Sequence, residues 1–502
     1  MSAMADERIE REAKRQRLSG AAVAEEEYHE LPESSLRARA EQEHLMNEFE
    51  RQRRARTLAV PTDDGRVKAR LREIGEPICL FGEGPAERRD RLRYLLSLRE
   101  DIDQVMEEMA AEEEEQARSG WAPQTEEFYT EGTQALLEAR QWIANYSLPR
   151  ARDRIARQKV AHEVPLRQLK TARHDLFSHL EGYVNYSSQV GDDRPVAQCA
   201  LSPDGTLLAT AAWSGLCKLW QVPTCTPKQT YRGHNDRAVS VAFHPASTRT
   251  MEATAVNLAS GSADGTINLW SLCQDTPLRT LRGHAHRVCR VGFHPSGRFL
   301  GSASFDATWR LWDVEVGTEL LLQEGHSHEV YAIAFQDDGA LVATGGLDAV
   351  GRVWDLRTGR SVMVLDGHVK EVLGVAWSPN GHQLVTGSGD NTLRVFDVRK
   401  LQSVYTVAAH TSLVSDVKFY HNPADAVAYR DGQASRSGLF LASSSYDGTV
   451  KLWSADDWRL KKTLTGHEGK VMSVDISEDA RFIASSGYDR TFKLWAHETT
   501  AF

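Results

Sequence analysis

Gly283-His284-Ala285-His286-Arg287-Val288-Cys289-Arg290-Val291-Gly292-Phe293-His294-Pro295-Ser296-Gly297-Arg298-Phe299-Leu300-Gly301-Ser302-Ala303-Ser304-Phe305-Asp306-Ala307-Thr308-Trp309-Arg310-Leu311-Trp312 reads as one unit of a repeat. A Gly-His pair opens it, and an apolar strand runs to Phe293. His294-Pro295-Ser296-Gly297 is a turn, a strand of small residues follows, and Asp306 marks a second turn before a strand ending at Trp312. Gly-His recurs at His234, His326, His368 and His467, with Ala409-His410 as a variant, at His spacings of 50, 42, 42, 42 and 57 residues. The units end at Trp270, Trp312, Trp354, Phe396, Trp453 and Trp495. One more, with Ser202-Pro203-Asp204-Gly205, precedes them and ends at Trp220, which makes seven.

A period of this length with a Gly-His to Trp-Asp signature resembles the WD40 family, whose fold is a β-propeller. The resemblance covers about residues 185–497 and implies seven four-stranded sheets whose half-buried faces are covered by closing a ring. In that family the Gly-His histidine hydrogen-bonds the aspartate of the second turn. The implied pairs are His234–Asp264, His284–Asp306, His326–Asp348, His368–Asp390, His410–Asp447 and His467–Asp489. In the first unit both partners change together, to Asp192 and Ser214, as a pairwise bond requires. These residues are expected to be structural, because buried polar groups need partners; no catalytic or metal-binding set is expected.

The last unit lacks an outer strand, and in this family the segment before the first unit supplies it, so Gly182 to Ser188 is expected to close the ring. Extra length at Ser247 to Asn257 and Asn422 to Gly438 falls between first and second strands, on the face away from the Gly-His loops. The residue before each turn aspartate points from the Gly-His face. Four of the seven are aromatic: Trp213, Phe305, Tyr446 and Tyr488. Arg237, Arg287 and Lys470 stand three residues after their histidines. Aromatic and basic groups on a rigid face suit protein anchoring or base stacking.

Composition divides the chain. Residues 1–180 carry 36 acidic and 30 basic residues, against 34 and 30 in the much longer 181–502. The first part reads as helices and linkers: a charged arm over 1–59, a motif module over 60–100, an acidic linker with helices over 101–180. Arg150, Arg154 and Arg157 recur at helical spacing, a face for RNA phosphates or an acidic partner. The fold class is thus an all-β seven-bladed propeller after a charged, mainly α-helical N-terminal region. No run approaches the roughly 18 apolar residues of a membrane helix. The start has no apolar run of the secretory kind. Six scattered cysteines without a C-x-x-C pair fit a reducing compartment. A net charge of −10 argues against a generic polyanion binder.

The remaining motif is Gly75-Glu76-Pro77-Ile78-Cys79-Leu80-Phe81-Gly82-Glu83-Gly84-Pro85-Ala86-Glu87-Arg88-Arg89-Asp90-Arg91-Leu92-Arg93. Pro85 suits a first helical turn with Glu87 inside it and arginines later. Leu92, Leu95 and Leu96 give the helix an apolar side, and Leu92 and Leu95 are expected to meet a partner. An apolar plug of Ile78, Leu80 and Phe81 before a basic helix suggests a docking module in which Arg88 and Arg89 take part. It is no phosphate loop, since the Lys-Ser/Thr is missing and Glu83 would repel phosphate. This segment resembles the splicing-factor motif. With seven WD40 units it is similar to the pre-mRNA-processing factor four family, WD40 subunits of the U4/U6 small nuclear ribonucleoprotein. The stretch Ala139 to Ala151 resembles that family's linker helices, and its Trp142 and Tyr146 are expected to bind a partner.

The resemblance implies a nuclear, non-enzymatic scaffold without cofactor, membrane or small-molecule substrate. It would join the U4/U6 particle, and then U5, through the companion factor that binds the U4/U6 duplex and a cyclophilin, touching snRNA directly or through proteins. A different class is a substrate receptor of a cullin–RING ubiquitin ligase, for which Trp354-Asp355-Leu356-Arg357 is the relevant motif. No G-x-S-x-G, H-E-x-x-H, P-loop or dinucleotide fingerprint occurs.

Overall fold

Small residues in the second strand of each repeat let neighbouring sheets approach face to face. A Cβ on Gly301 would stand 2.6 Å from Phe335 of the next sheet, and one on Gly261 2.8 Å from Val288. The computed structural model describes residues 60, 64–78, 80, 83–98, 132–163, 165–422 and 436–500. Seven four-stranded antiparallel sheets result, six built from consecutive strands. The first is β2 (Val196–Leu201), β3 (Leu207–Ala212), β4 (Cys217–Gln221) and β5 (Thr226–Tyr231). The first strands of the sheets touch one another in sequence, and the last returns to the first, so the ring is closed.

The seventh sheet carries the closure. Its order is β1 (Tyr183–Val190), β28 (Thr491–His497), β27 (Phe482–Gly487) and β26 (Val471–Ile476). Tyr183 pairs with His497 and Val190 with Thr491, with a bulge between Asn185 and Ser187. The upstream strand thus closes the ring, shifted from the expected bounds because Gly182 caps the preceding helix and donates its N–H to the His179 carbonyl. Tyr183 is buried and its hydroxyl donates to the Ala480 carbonyl. The Ser247 to Asn257 insertion joins β6 (Ala238–Phe243) to β7 (Leu258–Ser262) and is pinned by Ser247 Oγ donating to Asn257 Oδ1 at 2.9 Å. Residues 423–435 of the other insertion lie outside the described residues, as do the arm over 1–59 and the acidic stretch Asp101 to Glu115.

Each interface between adjacent sheets holds one apolar cluster, such as Leu219, Tyr231, Val241 and Trp270 between the first two. Helices extend two of these clusters. α3 (Gln134–Glu163; α1 and α2 are given below) adds Leu136, Ala139 and Ile143 beside Phe299, Trp309 and Trp354. α4 (Leu166–Glu181) adds Leu176, Phe177 and Leu180 beside Phe440 and Leu464. Apolar burial at about 25 cal/mol per Å² makes these interfaces the main source of cohesion.

Upstream lie α1 (Asp64–Ile74) and α2 (Pro85–Leu98). Pro85 opens α2, and the Glu87 carboxylate accepts the Gly84 N–H at 2.9 Å, half of a capping box. Val67, Leu71 and Leu92 are fully buried against one another, with Leu95 and Leu96 at the edge. Arg53–Phe502 form one compact unit that contains every described element. No helix among the described residues is long and apolar enough to cross a membrane.

Candidate partner-binding surfaces

The polar residues of the repeat form chains of hydrogen bonds. In five sheets the histidine Nδ1 lies 2.7 to 3.0 Å from the turn aspartate: His284–Asp306, His326–Asp348, His368–Asp390, His410–Asp447 and His467–Asp489. An ionised carboxylate only accepts, so Nδ1 carries the proton. Nε2 then accepts from a hydroxyl in the second strand: Ser302, Thr344, Thr386, Ser443 or Ser485. That oxygen accepts the indole N–H of the residue ten positions on, at 2.8 to 2.9 Å, in Trp312, Trp354, Trp453 and Trp495. Phe396 leaves the fifth sheet without this last link. The first sheet uses a substitute, with the Ser214 hydroxyl donating to Asp192.

His234 departs from the expected pairing with Asp264. Asn268 Nδ2 donates to its Nδ1 at 3.2 Å, and its Nε2 donates to Ser260 Oγ at 2.6 Å. Asn268 stands where the other sheets carry Lys or Arg, namely Lys218, Arg310, Arg352, Arg394, Lys451 and Lys493. The shorter amide folds back onto the imidazole, which takes the opposite tautomer. Asp264 accepts from Asn235 N and Thr266 instead. Burial pushes the His234 imidazole down to about 4, against the pull of Asp264. For Asp348, burial acts upward but the His326 charge and hydrogen bond outweigh it, holding the carboxyl at about 2. Asp306, Asp390 and Asp489 are likewise lowered, their histidine bonds overcoming burial. These groups brace turns and are spent within the fold. Among the described residues no group of three or more His, Cys, Asp or Glu is placed to hold a metal ion.

The aromatic residues of the Gly-His face are each met by a neighbour. The Arg237 guanidinium lies 5.0 Å from the Trp213 ring centroid, Arg287 3.7 Å from Phe305, and Lys470 Nζ 4.7 Å from Tyr446. Tyr488 meets Trp213 edge-on at 5.7 Å. The backbone aligns them: Phe305 N donates to Arg287 O and Tyr488 N to Lys470 O. In the fourth and fifth sheets the same position holds Glu329 and Glu371, whose carbonyls accept from Leu347 and Gly389. The face therefore mixes basic, aromatic and acidic groups, with Arg287 and Glu371 both near Tyr446.

In the upstream module, Arg88 is buried and its guanidinium pairs with Asp64. Arg91 forks onto Glu83 at 2.6 and 3.0 Å and reaches the Pro77 carbonyl at 2.8 Å. The Arg91 bond, with burial opposing it and the Leu80 N–H assisting, holds the Glu83 carboxyl below its ordinary range. Arg88 and Leu92, expected to meet a partner, are instead buried between α1 and α2 and hold them together. Leu80 is 49% exposed, Ile78 and Arg89 are half-buried, and Phe81 lies outside the described residues. α2 itself reaches the fourth sheet: buried Arg93 donates to the Gly325 carbonyl at 3.4 Å, and Asp90 lies 3.6 Å from His328.

Trp142 and Tyr146, expected to bind a partner, instead turn toward the ring. They stack at 5.3 Å, Trp142 meets Phe299 edge-on, and Tyr146 meets His294. Arg154 is also engaged, donating to Asp338 at 2.7 Å and to the Asn380 carbonyl at 2.9 Å. Arg150 lies over the Tyr146 ring, and Arg157 donates to its own helix at Asp153 O. The three arginines expected to share one free face therefore do not. Arg357 forks onto Asp355 and Arg399 onto Asp397 at 2.9 to 3.1 Å, bracing their own turns.

A family model described as "WD domain, G-beta repeat" matches residues 185–221, 225–271, 275–313, 317–355, 359–397, 401–454 and 458–496, together more than half of the chain. This chain belongs to the WD40 repeat family. A second model, "pre-mRNA processing factor 4 (PRP4) like", matches residues 67–95 of the WD40 protein, the α1–α2 module. The "U4/U6 small nuclear ribonucleoprotein Prp4" of Mus musculus is 48% identical over 218 residues, 43% of this chain and 41% of that protein. The "U4/U6 small nuclear ribonucleoprotein PRP4-like protein" of Arabidopsis thaliana is 43% identical over 237 residues, 46% of this chain and 43% of that protein. The Saccharomyces cerevisiae "U4/U6 small nuclear ribonucleoprotein PRP4" is 34% identical over 201 residues, 39% of this WD40 chain and 42% of that protein. The match thus spans about two fifths of the length of these relatives.

Proposed function

We propose that this WD40 protein is a nuclear, non-enzymatic scaffold of the U4/U6 and U4/U6.U5 small nuclear ribonucleoproteins, acting in pre-mRNA splicing. The observation that carries this reading is the pairing of a PRP4-like segment at 67–95 with a seven-sheet WD40 ring in one chain. Relatives named for the U4/U6 particle support it. The expected partners are the companion factor on the U4/U6 duplex and a cyclophilin, with snRNA reached directly or through them. A rigid ring presents several surfaces at once, so weak contacts gain from high effective concentration. Leu80 and the half-buried Ile78 and Arg89 leave the α1–α2 module an open edge for a partner. On the Gly-His face, Glu329 and Glu371 beside Arg287 favour a protein of mixed charge over a phosphate backbone.

Immunoprecipitation of the tagged chain from nuclear extract tests the reading. Co-purification of U4 and U6 RNA supports it. A cullin adaptor without either RNA would replace it with the ubiquitin-ligase receptor.

A further inference from the structure

α3 has two faces, and only one is explained by the ring. Its inner side buries Leu136, Ala139 and Ile143 and sends Arg154 and Gln158 to Asp338 and Asn380. Leu137, Leu148 and Ile155 point elsewhere and are 50%, 57% and 48% exposed. Seven residues separate Leu148 from Ile155 and eleven separate Leu137 from Leu148. At 3.6 residues per turn the three lie within about 20° of one line, and the line is about 27 Å long. Arg152, whose side chain is 84% exposed, and exposed Lys159 repeat the seven-residue interval on the flank of that line. Arg152 comes only within 3.8 Å of its neighbour Asp153, itself 66% exposed. Leu148 and Ile155 stand two turns apart and Leu137 three turns before them, with Pro149 inside the helix between; an apolar line with charges on its flank is a surface on which another helix packs.

We propose that this outer stripe of α3 docks an acidic amphipathic helix of a partner protein. The apolar side of the partner covers Leu137, Leu148 and Ile155, and its carboxylates meet Arg152 and Lys159. The basic flank selects the acid, and the apolar line selects a helix over a phosphate backbone, which has nothing to place against leucine. The proposal draws on the scaffold reading only for the existence of a partner, and its test below does not depend on U4/U6 association.

The test uses the full chain and a fluorescent 21-residue synthetic peptide with leucine at every third and fourth position and glutamate on both flanks. The same peptide with lysine for glutamate and a single-stranded oligouridylate serve as comparisons. Anisotropy should show saturable binding of the acidic peptide that weakens as salt rises. Leu148→Ser with Ile155→Ser should weaken it at least tenfold, and Arg152→Glu with Lys159→Glu several-fold. These positions are exposed, so near-UV circular dichroism should be unchanged; Leu137→Ser alone gives a second, milder variant. Equal binding of the lysine peptide would overturn the proposal. So would binding of the oligouridylate that survives the serine substitutions but not the glutamate ones, since the stripe would then be a nucleic-acid surface. Self-association of the chain that is lost on Leu148→Ser, seen by sedimentation, would overturn it in favour of a second copy.

Discussion

His234 should behave unlike the other Gly-His histidines on acidification. Its Nδ1 accepts the Asn268 amide at 3.2 Å, so protonation there would set a cationic N–H against an NH₂ donor in a buried place. Burial already pushes the imidazole to about 4 from an ordinary 6.5. At about 1.4 kcal/mol per pH unit, that gap corresponds to about 3 kcal/mol. The folded state binds the proton less readily than the unfolded chain. The stabilisation is therefore complete above pH 6.5 and lost as pH falls toward 4. Asn268→Asp supplies a carboxylate to Nδ1 and keeps the acceptor used by Thr280 Oγ1 at 2.7 Å. Urea unfolding of wild type and Asn268→Asp at pH 7 and pH 4.5 gives the differential. The variant should lose less stability on acidification, by up to about 3 kcal/mol. His294, which burial also lowers to about 4, contributes equally to both proteins and cancels. Long-range ¹H–¹⁵N spectra should show His234 protonated on Nε2 at pH 7 and the five aspartate-paired histidines on Nδ1. A His234 that titrates near 6.5, or carries its proton on Nδ1, would refute the reasoning.

Three further outcomes follow. Asp348→Asn should cost about 2 kcal/mol at neutral pH, from a carboxyl held at about 2 against an ordinary 3.8. Because that value is lowered, the penalty should fade as pH drops from about 4 to 2 in urea titrations. Arg290 and Asp416 pair at 3.3 Å from opposite sides of the ring, and Ser473 also donates to Asp416. Arg290→Met strands this buried carboxylate and should cost about 3–5 kcal/mol, with much of the loss recovered by adding Asp416→Asn. Gly265 has φ +79°, and a Cβ there would lie 2.9 Å from the His284 carbonyl oxygen. Gly265→Ala should destabilise by about 1–2 kcal/mol or more, read as a lower thermal midpoint.

The ring was legible because its cause is local and periodic. Gly-His, the small-residue strand and the closing Trp recur at intervals that one repeat imposes on the next. The missing outer strand of the last repeat pointed upstream to the segment that closes it. Even the exchange of His and Asp for Asp192 and Ser214 could be read, since a bond that loses one partner must change both. The hydroxyl link has a sequence signal of its own, a Ser or Thr ten residues before each closing aromatic. His234 was misread because its outcome depends on Asn268, one strand away, and not on its own motif. The helices were the least legible. Arg154 meets Asp338 and Arg93 meets Gly325 across 184 and 232 residues, and no periodicity records such contacts. Trp142 and Tyr146 read as partner-binding because the aromatic surface that receives them, Phe299 and His294, belongs to another part of the chain. Arg88 read as a docking residue because its partner Asp64 lies on the helix before it.

The proposed function has this WD40 chain hold the U4/U6 particle together as a scaffold. Its most direct test is immunodepletion from splicing extract, followed by add-back of the pure chain and native-gel analysis of U4/U6.U5 assembly. Depletion should stop assembly and splicing, and the added protein should restore both. Normal assembly in the depleted extract would contradict it.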